Sequence, residues 1–530
     1  MTTDSACTPP SAADIEHVAP EDVTVLLTAA EAFPHLEELF LGAKHQISAS
    51  FRVFDPETRL HSEAARHHGT TWYDLIVAVL KRGVHLHITL ADFDPVNRPD
   101  MHHRANRCLR QFNEAGVAAG ASARLNAQAL THPARSSLLH RVAFYPAVRR
   151  KLSGHARSLN DLAHEKRRSW IEDAPLLADL FGTVPPKNHL APRNDRLPPL
   201  IPGSHHQKLA VFDRERLYVG GLDLNDRRFD GPDHDRQSDQ TWHDVQLSLS
   251  GPIAAVADDH LRAFADETAG NTPAPPRPGL LRTLSSAHPP GFARIGPRPQ
   301  VREIRARLLE EIAVAERLIY LETQYLRDPS IARALSARAR ACPKLRLIAI
   351  LPAAPDDVAF ENSTSLDARF GEYLQARCAR RIQNAFGPRA VLISPAKPES
   401  AQADPSDFDL EGAPLVYVHA KAAIFDNRCA IIGSANLNGR SLNWDTEVAV
   451  AMTHPETVAL IRTRLMRHWL PDDVDTTHTD IETAAQNWQR LAARNTGRPP
   501  EERMGFIMPF PVERARKFGR WVPGIPPEMV

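Results

Sequence analysis

The chain is 530 residues long, which is enough to bury two domain-sized hydrophobic cores. Its 64 basic and 64 acidic residues leave no net charge, so no overall field attracts nucleic acid or an anionic membrane; this disfavours a nuclease without excluding one. The amino-terminal stretch has neither a basic start nor an apolar core, and no apolar run reaches the roughly eighteen residues of a transmembrane helix. We therefore expect no secretory signal and no membrane span.

The chain has five cysteines, which are odd in number and are scattered along its length. They form neither a metal-binding spacing nor a disulfide framework, which is typical of a reducing compartment. The sequence thus predicts a protein of the cytoplasm or of a membrane periphery, and export by a route that needs no signal stays open. The five positions are Cys7, Cys108, Cys342, Cys378 and Cys429.

In chain order, residues 1–22 are predicted to be a loose leader, after which the first half of the chain alternates strands and helices. The second half repeats this order, which indicates the repeat of a whole domain and not of a motif alone. Runs of β-branched residues between the helices favour sheets that are covered on both faces. The predicted elements are strands at 23–27, 47–54 and 84–90 with helices at 31–43 and 71–81, and in the second half helices at 302–315 and 331–341 with strands at 318–325 and 345–351.

The repeat divides the chain into two halves, residues 23–269 and 301–475. The first half carries an insertion, residues 95–202, that the second half lacks, and basic residues outnumber acidic ones there by about two to one. Residues 270–300 are rich in proline and are predicted to connect the halves. A tail, residues 476–530, is predicted to begin as a helix and then to wrap the body of the protein.

Each half contains one copy of the pattern H-x-K-x4-D-x6-G-(G/S), which predicts a β-hairpin with the aspartate at its turn. Side chains alternate along a strand, so the histidine and the lysine project from the same face. The aspartate is expected to hydrogen-bond the backbone of its own turn, and the small pair to let the backbone approach a ligand. The first copy is His206, Lys208, Asp213, Gly220 and Gly221; the second is His419, Lys421, Asp426, Gly433 and Ser434, followed by Asn436.

Two such hairpins face to face would place two imidazoles and two ammonium groups around one pocket. Lysines suit a phosphate anion, and two histidines suit a nucleophile and a general acid on opposite sides of a phosphorus atom. Lysines and amides would neutralise the developing charge, so the chemistry needs no metal and we predict no cofactor. The alternative, in which the motif histidines are hydrogen-bonded core residues, is weakened because two full copies occur.

The pair of motifs resembles the twin H-x-K motifs of the phospholipase D superfamily. Two more stretches are similar to the eukaryote-type phospholipase D core: Gly-Gly-Leu-Asp-Leu, which starts at Gly220, and Leu-Ile-Tyr-Leu-Glu-Thr-Gln-Tyr, which runs from Leu318 to Tyr325. The resemblance covers most of residues 23–470. It implies an α/β fold of two pseudo-symmetric α-β-α sandwich halves, with one composite active site at their interface.

An acidic residue after each hairpin leads an alternating apolar strand, and the matching context makes Asp244 and Glu447 equivalent. An imidazole that acts as a nucleophile needs an acceptor on its second nitrogen, so each acid is assigned to one catalytic histidine, with Asp445 as the fallback acceptor. The structural alternative is a salt bridge between such an acid and an arginine, for example Arg228 or Arg440.

Amide side chains follow each small pair of residues. Asn225 and Asn438 match one another and are predicted to bind the phosphate oxygens together with Lys208 and Lys421. Two residues after the small pair, where the second copy keeps the asparagine of the superfamily pattern, the first copy has Asp223, as eukaryote-type members do. A carboxylate would repel a phosphate, so Asp223 is not counted as a ligand.

The resemblance implies a phospholipase D, in which His206 attacks the phosphorus of a glycerophospholipid and forms a phosphohistidine while His419 protonates the departing head-group alcohol. Water then yields phosphatidic acid, and a primary alcohol competes with water. The expected partner is a phospholipid at a membrane surface, and no specific nucleic acid is expected. The alternatives are a cardiolipin-synthase-like phosphatidyltransferase or a nuclease of the same superfamily and, from another class, a non-catalytic phospholipid-binding scaffold.

The insertion at residues 95–202 has two interpretations. If it capped the lipid head groups, its aromatic residues Phe144, Tyr145 and Trp170 would lie at the membrane interface. We favour the other interpretation, a helical excursion that packs on the first half and has a solvated basic face. The remaining histidines, among them His205 and His243, are interpreted as core or surface residues.

Overall fold

The computed structural model describes residues 12–185, 189–289, 294–361, 363–401 and 409–530. It contains two large β-sheets, one from each half of the chain, with helices around them. Residues 1–11 of the predicted leader, which include Cys7, lie outside the described residues. The cysteines of the described residues are free thiols.

The first lobe is formed by the described residues that precede Gly270. Its strands are β1 (Val23–Leu27), β2 (Gln46–Phe51), β3 (His85–Asp92), β4 (Leu125–Thr131), β5 (Phe181–Val184), β6 (His189–Pro192), β7 (Leu209–Phe212), β8 (Arg216–Gly220) and β9 (Val245–Ser250). Its helices are α1 (Ala12–Glu16), α2 (Thr28–Gly42), α3 (Glu63–Arg66), α4 (Trp72–Lys81), α5 (Pro99–Ala118), α6 (Leu138–Ala143), α7 (Tyr145–Asn160), α8 (His164–Glu172), α9 (Pro175–Ala178) and α10 (Pro252–Ala269).

The sheet of the first lobe is mixed and has the strand order β1-β9-β8-β7-β2-β3-β4. Strands β2, β3 and β4 are parallel, whereas β7 runs antiparallel to β2. Local sequence signals set the helix ends: α4 begins where the Thr71 amide donates to the Asp74 carboxylate at 3.0 Å, and α10 ends at Gly270, whose φ of +81° favours glycine.

The second lobe is formed by the described residues from Leu280 onward. Its strands are β10 (Leu280–Ser286), β11 (Arg298–Arg302), β12 (Leu318–Thr323), β13 (Arg346–Ile350), β14 (Ala390–Pro395), β15 (Asp409–Leu410), β16 (Ala413–Pro414), β17 (Lys421–Phe425), β18 (Cys429–Gly433), β19 (Glu447–Met452) and β20 (Ile507–Pro509). Its helices are α11 (Glu303–Val314), α12 (Pro329–Ala341), α13 (Asp356–Ala359), α14 (Leu366–Phe386), α15 (Gly439–Asn443), α16 (Pro455–Trp469), α17 (Ala484–Asn495) and α18 (Val512–Phe518). Within the described parts of both lobes, no helix is long and apolar enough to cross a membrane.

The two sheets have the same central topology. The second sheet has the order β11-β10-β19-β18-β17-β12-β13-β14-β20, and its seven inner strands repeat the first sheet strand by strand. The parallel trio β12, β13 and β14 and the antiparallel partner β17 match their counterparts. This confirms the predicted α/β fold of two pseudo-symmetric halves, and the predicted helices and strands lie within a few residues of the observed ones.

The two sheets face one another and share one apolar core. Alternate side chains of β9 and β19 point into it, and all of them are essentially inaccessible to solvent: Val245, Leu247, Leu249, Val448 and Val450. The opposite face of each sheet packs against helices, namely α2, α4 and α5 in the first lobe and α11, α12 and α14 in the second. Because the lobes share a hydrophobic core, groups that they contribute to their interface are held in fixed register.

The predicted insertion, residues 95–202, begins too early. It contains α5 and β4, which correspond to α14 and β14 of the second lobe, so the chain specific to the first lobe starts after Thr131. The correspondence is hidden in the sequence because α14 follows a polar loop and has a largely polar, arginine-rich exposed face. The part of the insertion beyond Thr131 has a small core of its own, which includes Val148, Leu152 and Phe181.

The predicted linker, residues 270–300, includes a strand of the second sheet. Strand β10 pairs antiparallel with β19, with Leu280 opposite Val450, so only residues 270–279 connect the lobes. The prolines on both sides of β10 predict an extended connector. Pairing with β19 instead places the apolar residues of β10 in the core. Sheet pairing over a long sequence separation overrides the local composition here.

The chain termini also differ from the prediction. In the described part of the leader, residues 12–22, Ile15 and Val18 are buried in the shared core, so this part is not loose. The tail, residues 476–530, starts with a helix as predicted, and β20 then extends the second sheet by pairing antiparallel with β14.

The motif aspartates bond a neighbouring strand, not their own turn as predicted. Asp213 accepts hydrogen bonds from the amides of Lys44, His45 and Gln46, which lead into β2, at 2.8 to 2.9 Å. Asp426 does the same at the start of β12, where it accepts from three successive amides at 2.9 Å: Glu316, Arg317 and Leu318. Both aspartates have a positive φ, +53° and +55°, and each fixes the H-x-K hairpin to the adjacent strand.

Asp213→Ala is expected to lower the free energy of unfolding by about 2–4 kcal/mol, because three amides lose a charged acceptor and alanine is strained at positive φ. Asp213→Asn should lose less, since asparagine tolerates this backbone conformation and keeps one acceptor. The control is Asp259→Ala, which removes a half-exposed carboxylate 2.8 Å from Arg214 and should cost less than about 1 kcal/mol. Urea unfolding of the three variants measures the differences; equal losses at Asp213 and Asp259 would contradict the assigned role.

Candidate active site

The H-x-K segment of the first lobe is bonded to the second lobe by its backbone. The His206 amide donates to the Thr446 carbonyl at 2.9 Å, and the Thr446 amide donates to the Ser204 carbonyl at 3.0 Å. Thr446 directly precedes Glu447, the acid that leads strand β19. The segment that carries the first histidine therefore runs alongside the segment that carries the acid of the other lobe.

The H-x-K segment of the second lobe is bonded to the first lobe in the equivalent way. The His419 amide donates to the His243 carbonyl, and the His243 amide donates to the Tyr417 carbonyl, both at 2.8 Å. His243 directly precedes Asp244, the acid that leads β9. The pseudo-two-fold relation between the lobes thus extends to the backbone bonds that assemble the site.

The two acids are exchanged between the lobes. His206 Nδ1 lies 3.0 Å from a carboxylate oxygen of Glu447, and His419 Nδ1 lies 2.6 Å from Asp244 Oδ2. Each pair joins a histidine of one lobe to an acid of the other. A carboxylate on Nδ1 holds the proton there and leaves Nε2 as the nitrogen free for chemistry.

The two lysines are buried close to the histidines. Lys208 Nζ donates to the His206 carbonyl at 2.8 Å and lies 3.8 Å from Asp223 Oδ1. Lys421 Nζ donates to the His419 carbonyl and lies 2.9 Å from its Nδ1. Two ammonium groups are thereby held beside two imidazoles in a region closed to bulk solvent, where an anion is attracted more strongly than in water.

Burial dominates the electrostatics of this site. It lowers the pKa of His206 and of His419 well below the usual value of 6.5, and the neighbouring lysines act in the same direction. Burial also raises the pKa of Glu447 and that of Asp244, an effect that the neighbouring lysines oppose, and it lowers the pKa of Lys421 to about 7. A phosphate anion bound among these groups would favour the positively charged forms of the histidines and lysines, so the site is suited to an anionic ligand.

Three asparagines follow the small pairs of the two hairpins. Asn225 and Asn436 are buried, and their carbonyl oxygens have no hydrogen-bond partner among the described residues. Asn438 uses its carbonyl oxygen to cap α15 by accepting from the Ser441 amide at 3.0 Å, which leaves its amide nitrogen for a ligand. The sequence interpretation assigned Asn225 and Asn438 to the phosphate; Asn436, predicted only as part of the motif framework, has the same unpartnered character as Asn225.

The small pairs pack closely against protein atoms of the neighbouring strand, whereas the sequence had suggested that they approach a ligand. A Cβ atom on Gly221 would lie 2.1 Å from Asp244 Oδ1, and one on Gly433 would lie 2.2 Å from the Val448 carbonyl. At the position equivalent to Gly221, Ser434 donates to Glu447 Oε2 at 2.5 Å. In the first lobe Gly220 is equally crowded, with its Cβ position 1.9 Å from Gln246 Oε1.

Asp223 is neutralised by neighbouring cations. It lies 3.6 Å from Arg52 and 3.8 Å from Lys208, and it accepts from the Val53 amide at 3.1 Å. The carboxylate thus holds Lys208 in place, and the departure from the asparagine pattern does not leave an unpaired negative charge at the site.

Three arginines near the histidines carry positive charge that the motif does not include. Arg52 and Arg440 add to the effects of burial and lysine that lower the pKa of His206, and Arg228 does so for His419. Arg440 pairs with Asp445 at 3.0 Å, so the alternative salt bridge to Glu447 does not form and Asp445 is not the acceptor for a histidine. Arg228 and Arg440 have a signal in the sequence, because each lies two or three residues after one of the matched asparagines.

A tryptophan packs against the histidine of the second lobe. The Trp242 ring lies 4.6 Å from the His419 ring, and the Arg228 guanidinium lies over Trp242 at 3.5 Å from the ring centroid. His205, in contrast, is buried against the rings of His132 and Phe264, with its Nδ1 3.0 Å from Thr446 Oγ1. The placement of His205 agrees with its interpretation as a core residue.

Fold and site together define a two-lobed α/β protein with a composite histidine–lysine site. A family model described as a cardiolipin synthase, PLD-like domain, matches residues 308–469. Phospholipase D gamma 1 of Arabidopsis thaliana is 22% identical over 48% of this chain and 44% of that protein. Phospholipase D1 of Saccharomyces cerevisiae is 24% identical over 55% of this chain and 24% of the yeast protein.

The fold comparison spans nearly the whole chain. The crystal structure of phosphatidylserine synthase from Haemophilus influenzae Rd KW20 matches with a TM-score of 0.50 and 13% identity, over 90% of this chain and 94% of that one. Residues 308–469 thus match a phospholipase D-like domain, and the chain is similar to members of the phospholipase D superfamily. It spans about half or less of the length of the curated relatives named phospholipase D.

Proposed function

We propose that this chain is a phospholipase D, which hydrolyses glycerophospholipids to phosphatidic acid and the head-group alcohol and transfers the phosphatidyl group to alcohols. The observation that carries the proposal is the exchange of acids between the lobes, which orients two histidines toward one site that also holds two buried lysines. A binding scaffold would need the cations but not two histidines whose Nδ1 atoms are each held by a carboxylate.

In the first step, His206 Nε2 attacks the phosphorus and the bond from phosphorus to the head-group oxygen breaks. His419 donates its Nε2 proton to that oxygen, so a neutral alcohol leaves. The negative phosphate opposes the effect of burial on the pKa of His419 and so favours the protonated ring. Lys208 and Lys421, with the amides of Asn225 and Asn438, bind the non-bridging oxygens.

In the second step, water attacks the phosphorus of the phosphohistidine and loses a proton to His419 Nε2. The bond from phosphorus to nitrogen breaks, and His206 returns to the neutral ring with its Nδ1 proton directed at Glu447. An alcohol in place of water gives a transferred phosphatidyl group, because the covalent intermediate accepts either nucleophile.

A phosphatidyltransferase is the second candidate function. The matching family model is described as a cardiolipin synthase domain, and the protein with the similar overall fold is a phosphatidylserine synthase. The two candidates share the covalent intermediate and differ only in the acceptor that attacks it.

The experiment that tests the proposal is incubation with a labelled phosphatidylcholine, first in water and then with butanol, glycerol, serine or phosphatidylglycerol. A phospholipase D forms phosphatidic acid in water and phosphatidylbutanol when butanol is added. Product with one biological acceptor and almost none with water would replace the proposal by the transferase. No product under any condition, with the folded protein, would contradict both.

The pH dependence of kcat/KM is expected to be bell-shaped. Burial lowers the pKa of Lys421 to about 7, so the free enzyme loses this positive charge as the pH rises through 7 and binds the phosphodiester less well. Burial holds the pKa of His206 well below 6.5, so the nucleophile becomes protonated only at a lower pH. Rates measured from about pH 4 to about pH 9 report the alkaline limb and the start of the acid limb. Lys421→Arg should remove the alkaline fall in affinity; an unchanged alkaline limb would contradict this assignment.

We also propose that the enzyme docks on membranes through helix α6. Leu138, Leu139 and Val142 are each more than half exposed, at 52%, 53% and 57%, and Phe144 follows the helix at 40%. A cluster of this kind on a surface is typical of contact with lipid or protein. The chain that leads into α6 packs beside the first H-x-K segment, where the His132 ring lies 5.4 Å from the ring of His205.

The double variant Leu139→Glu with Val142→Glu is expected to bind phosphatidylcholine vesicles at least about tenfold more weakly, because two apolar side chains no longer enter the interface. Turnover of a soluble short-chain phospholipid should be unchanged. Val314→Glu, an equally exposed valine on α11, is the matched control. Vesicle flotation measures the binding, and equal binding by the double variant and the control would contradict this docking surface.

A further inference from the structure

A second cluster of histidines lies apart from the catalytic pair. His234 comes from the loop between β8 and β9, His243 from the residue before Asp244, and His468 from the last turn of α16. One ligand atom of each residue lies within 4.8 Å of the corresponding atoms of the other two. The first two residues belong to the first lobe and the third to the second lobe, so the cluster crosses the interface.

The ring of His234 is oriented by a carboxylate. Its Nδ1 lies 2.7 Å from Asp230 Oδ2, and the carboxylate of Asp230 also accepts from the backbone amides of Gly231 and Trp242. A carboxylate that accepts from these groups keeps the proton of His234 on Nδ1, so the lone pair is on Nε2. That Nε2 lies 3.0 Å from Nε2 of His468.

The ring of His243 is oriented in the same manner by a different carboxylate. Its Nε2 lies 2.8 Å from Glu322 Oε2, while Glu322 Oε1 accepts from the Tyr320 hydroxyl at 2.5 Å and from the Trp469 indole at 2.9 Å. Nδ1 of His243 therefore carries the lone pair. This atom is buried and has no hydrogen-bond partner among the described residues, an arrangement that is unfavourable unless a ligand is bound.

We propose that His234, His243 and His468 bind a divalent transition-metal ion, with zinc the best fit. Neutral imidazoles whose other nitrogens donate to carboxylates, as those of His234 and His243 do here, are the arrangement found around zinc, which takes nitrogen ligands at about 2.0–2.1 Å. Tetrahedral bonds of that length place the nitrogens about 3.3 Å apart, so ligand atoms that now lie within 4.8 Å of one another would approach by at most about 1.5 Å on binding. His468 is partly exposed, which gives the ion and a fourth ligand, water, a route from solvent.

The ion would connect the two lobes next to the segments that hold the catalytic histidines. His243 is adjacent in sequence to Asp244, and its carbonyl accepts from the His419 amide at 2.8 Å. Trp469 and Phe506 pack around the cluster, which limits access of water. This role is structural: the ion holds the strand that presents Asp244 and takes no part in the phosphoryl chemistry, so the inference is independent of the proposed activity.

The experiment is a zinc titration of the full chain after removal of metals with a chelator, in competition with a chromophoric zinc ligand. Wild type should bind one equivalent, and Co²⁺ in its place should give the visible absorption bands of a tetrahedral site. His468→Gln should weaken zinc binding by more than about tenfold, the lower bound seen when a group that merely orients a ligand is lost. His468→Cys, which keeps a ligand atom, should retain zinc.

The matched control is His478→Gln, since His478 is partly exposed and its Nδ1 lies 3.1 Å from Asp475, away from the cluster. Zinc should raise the unfolding temperature of wild type and of this control, but not that of His468→Gln. Failure of folded wild type to take up zinc, or equal zinc affinity of wild type and His468→Gln, would overturn the proposal and leave a hydrogen-bonded histidine cluster. Circular dichroism of each variant verifies that it is folded.

Discussion

His206→Ala should lower kcat by about 10⁴-fold or more, with every phospholipid tested, because the nucleophile of the covalent step is removed. His419→Ala should lose as much with a natural head group, which must be protonated as it leaves. With a nitrophenyl head group, however, the leaving oxygen needs no proton, so His419→Ala should regain the first step. The variant should then accumulate a phosphohistidine on His206, since the base that activates water is absent.

A burst of nitrophenolate together with labelled protein measures this difference between the two variants. His205→Asn is the adjacent control: its ring contacts Thr446 and not the site, so its activity should stay within about tenfold of wild type. Labelled protein in His206→Ala and none in His419→Ala would reverse the two roles, which the pseudo-symmetry of the residues permits. Label in neither variant would contradict a histidine nucleophile.

Glu447→Gln and Asp244→Asn should each lower kcat by about 10⁴-fold while leaving the fold intact. An amide in place of the carboxylate no longer holds the proton on Nδ1, so the ring adopts the wrong tautomer and its cationic form is not stabilised. Since the acids are exchanged, Glu447→Gln should impair the step of His206, and Asp244→Asn the step of His419. The nitrophenyl substrate should therefore rescue Asp244→Asn more than Glu447→Gln.

Asp445→Asn is the matched control, because Asp445 lies in the same segment but pairs with Arg440 at 3.0 Å. It should lower the unfolding temperature with little change in kcat. Nitrogen-15 spectra of the histidine rings report the tautomer directly and separate a tautomer effect from a change in packing. Wild-type activity in Glu447→Gln would show that the contact of 3.0 Å to His206 has no role in the reaction.

Local sequence patterns predicted most of the secondary structure around the site. The apolar runs of β2, β3, β12 and β13 and the helices between them are strongly periodic, and the repeat of their order in the second half predicted two equivalent lobes. The predicted domain boundaries were wrong where pairing between strands that are distant in sequence decides the structure. Strand β10 stands among prolines and is a strand because β19 provides its partner, and α5 was assigned to an insertion because its counterpart α14 follows a polar loop.

The roles of individual motif residues were less predictable. Asp213 was expected to bond its own turn, but it accepts from the amides that precede β2, a segment about 170 residues earlier in the chain. Gly221 was expected to face a ligand, but it makes room for Asp244. In both cases the residue type was correctly identified as a constraint, while the partner depended on which strand is adjacent in the sheet.

The sequence by itself determined the residue types of the site, their spacing on two hairpins and the membership of both hairpins in equivalent lobes. Only the tertiary structure decided that Glu447 serves His206 and Asp244 serves His419, and that His234, His243 and His468 come together. Periodicity reports which face of a strand a side chain occupies, because that depends on neighbouring residues. Which carboxylate meets which imidazole depends on how two sheets pack across a shared core, and no local pattern encodes that arrangement.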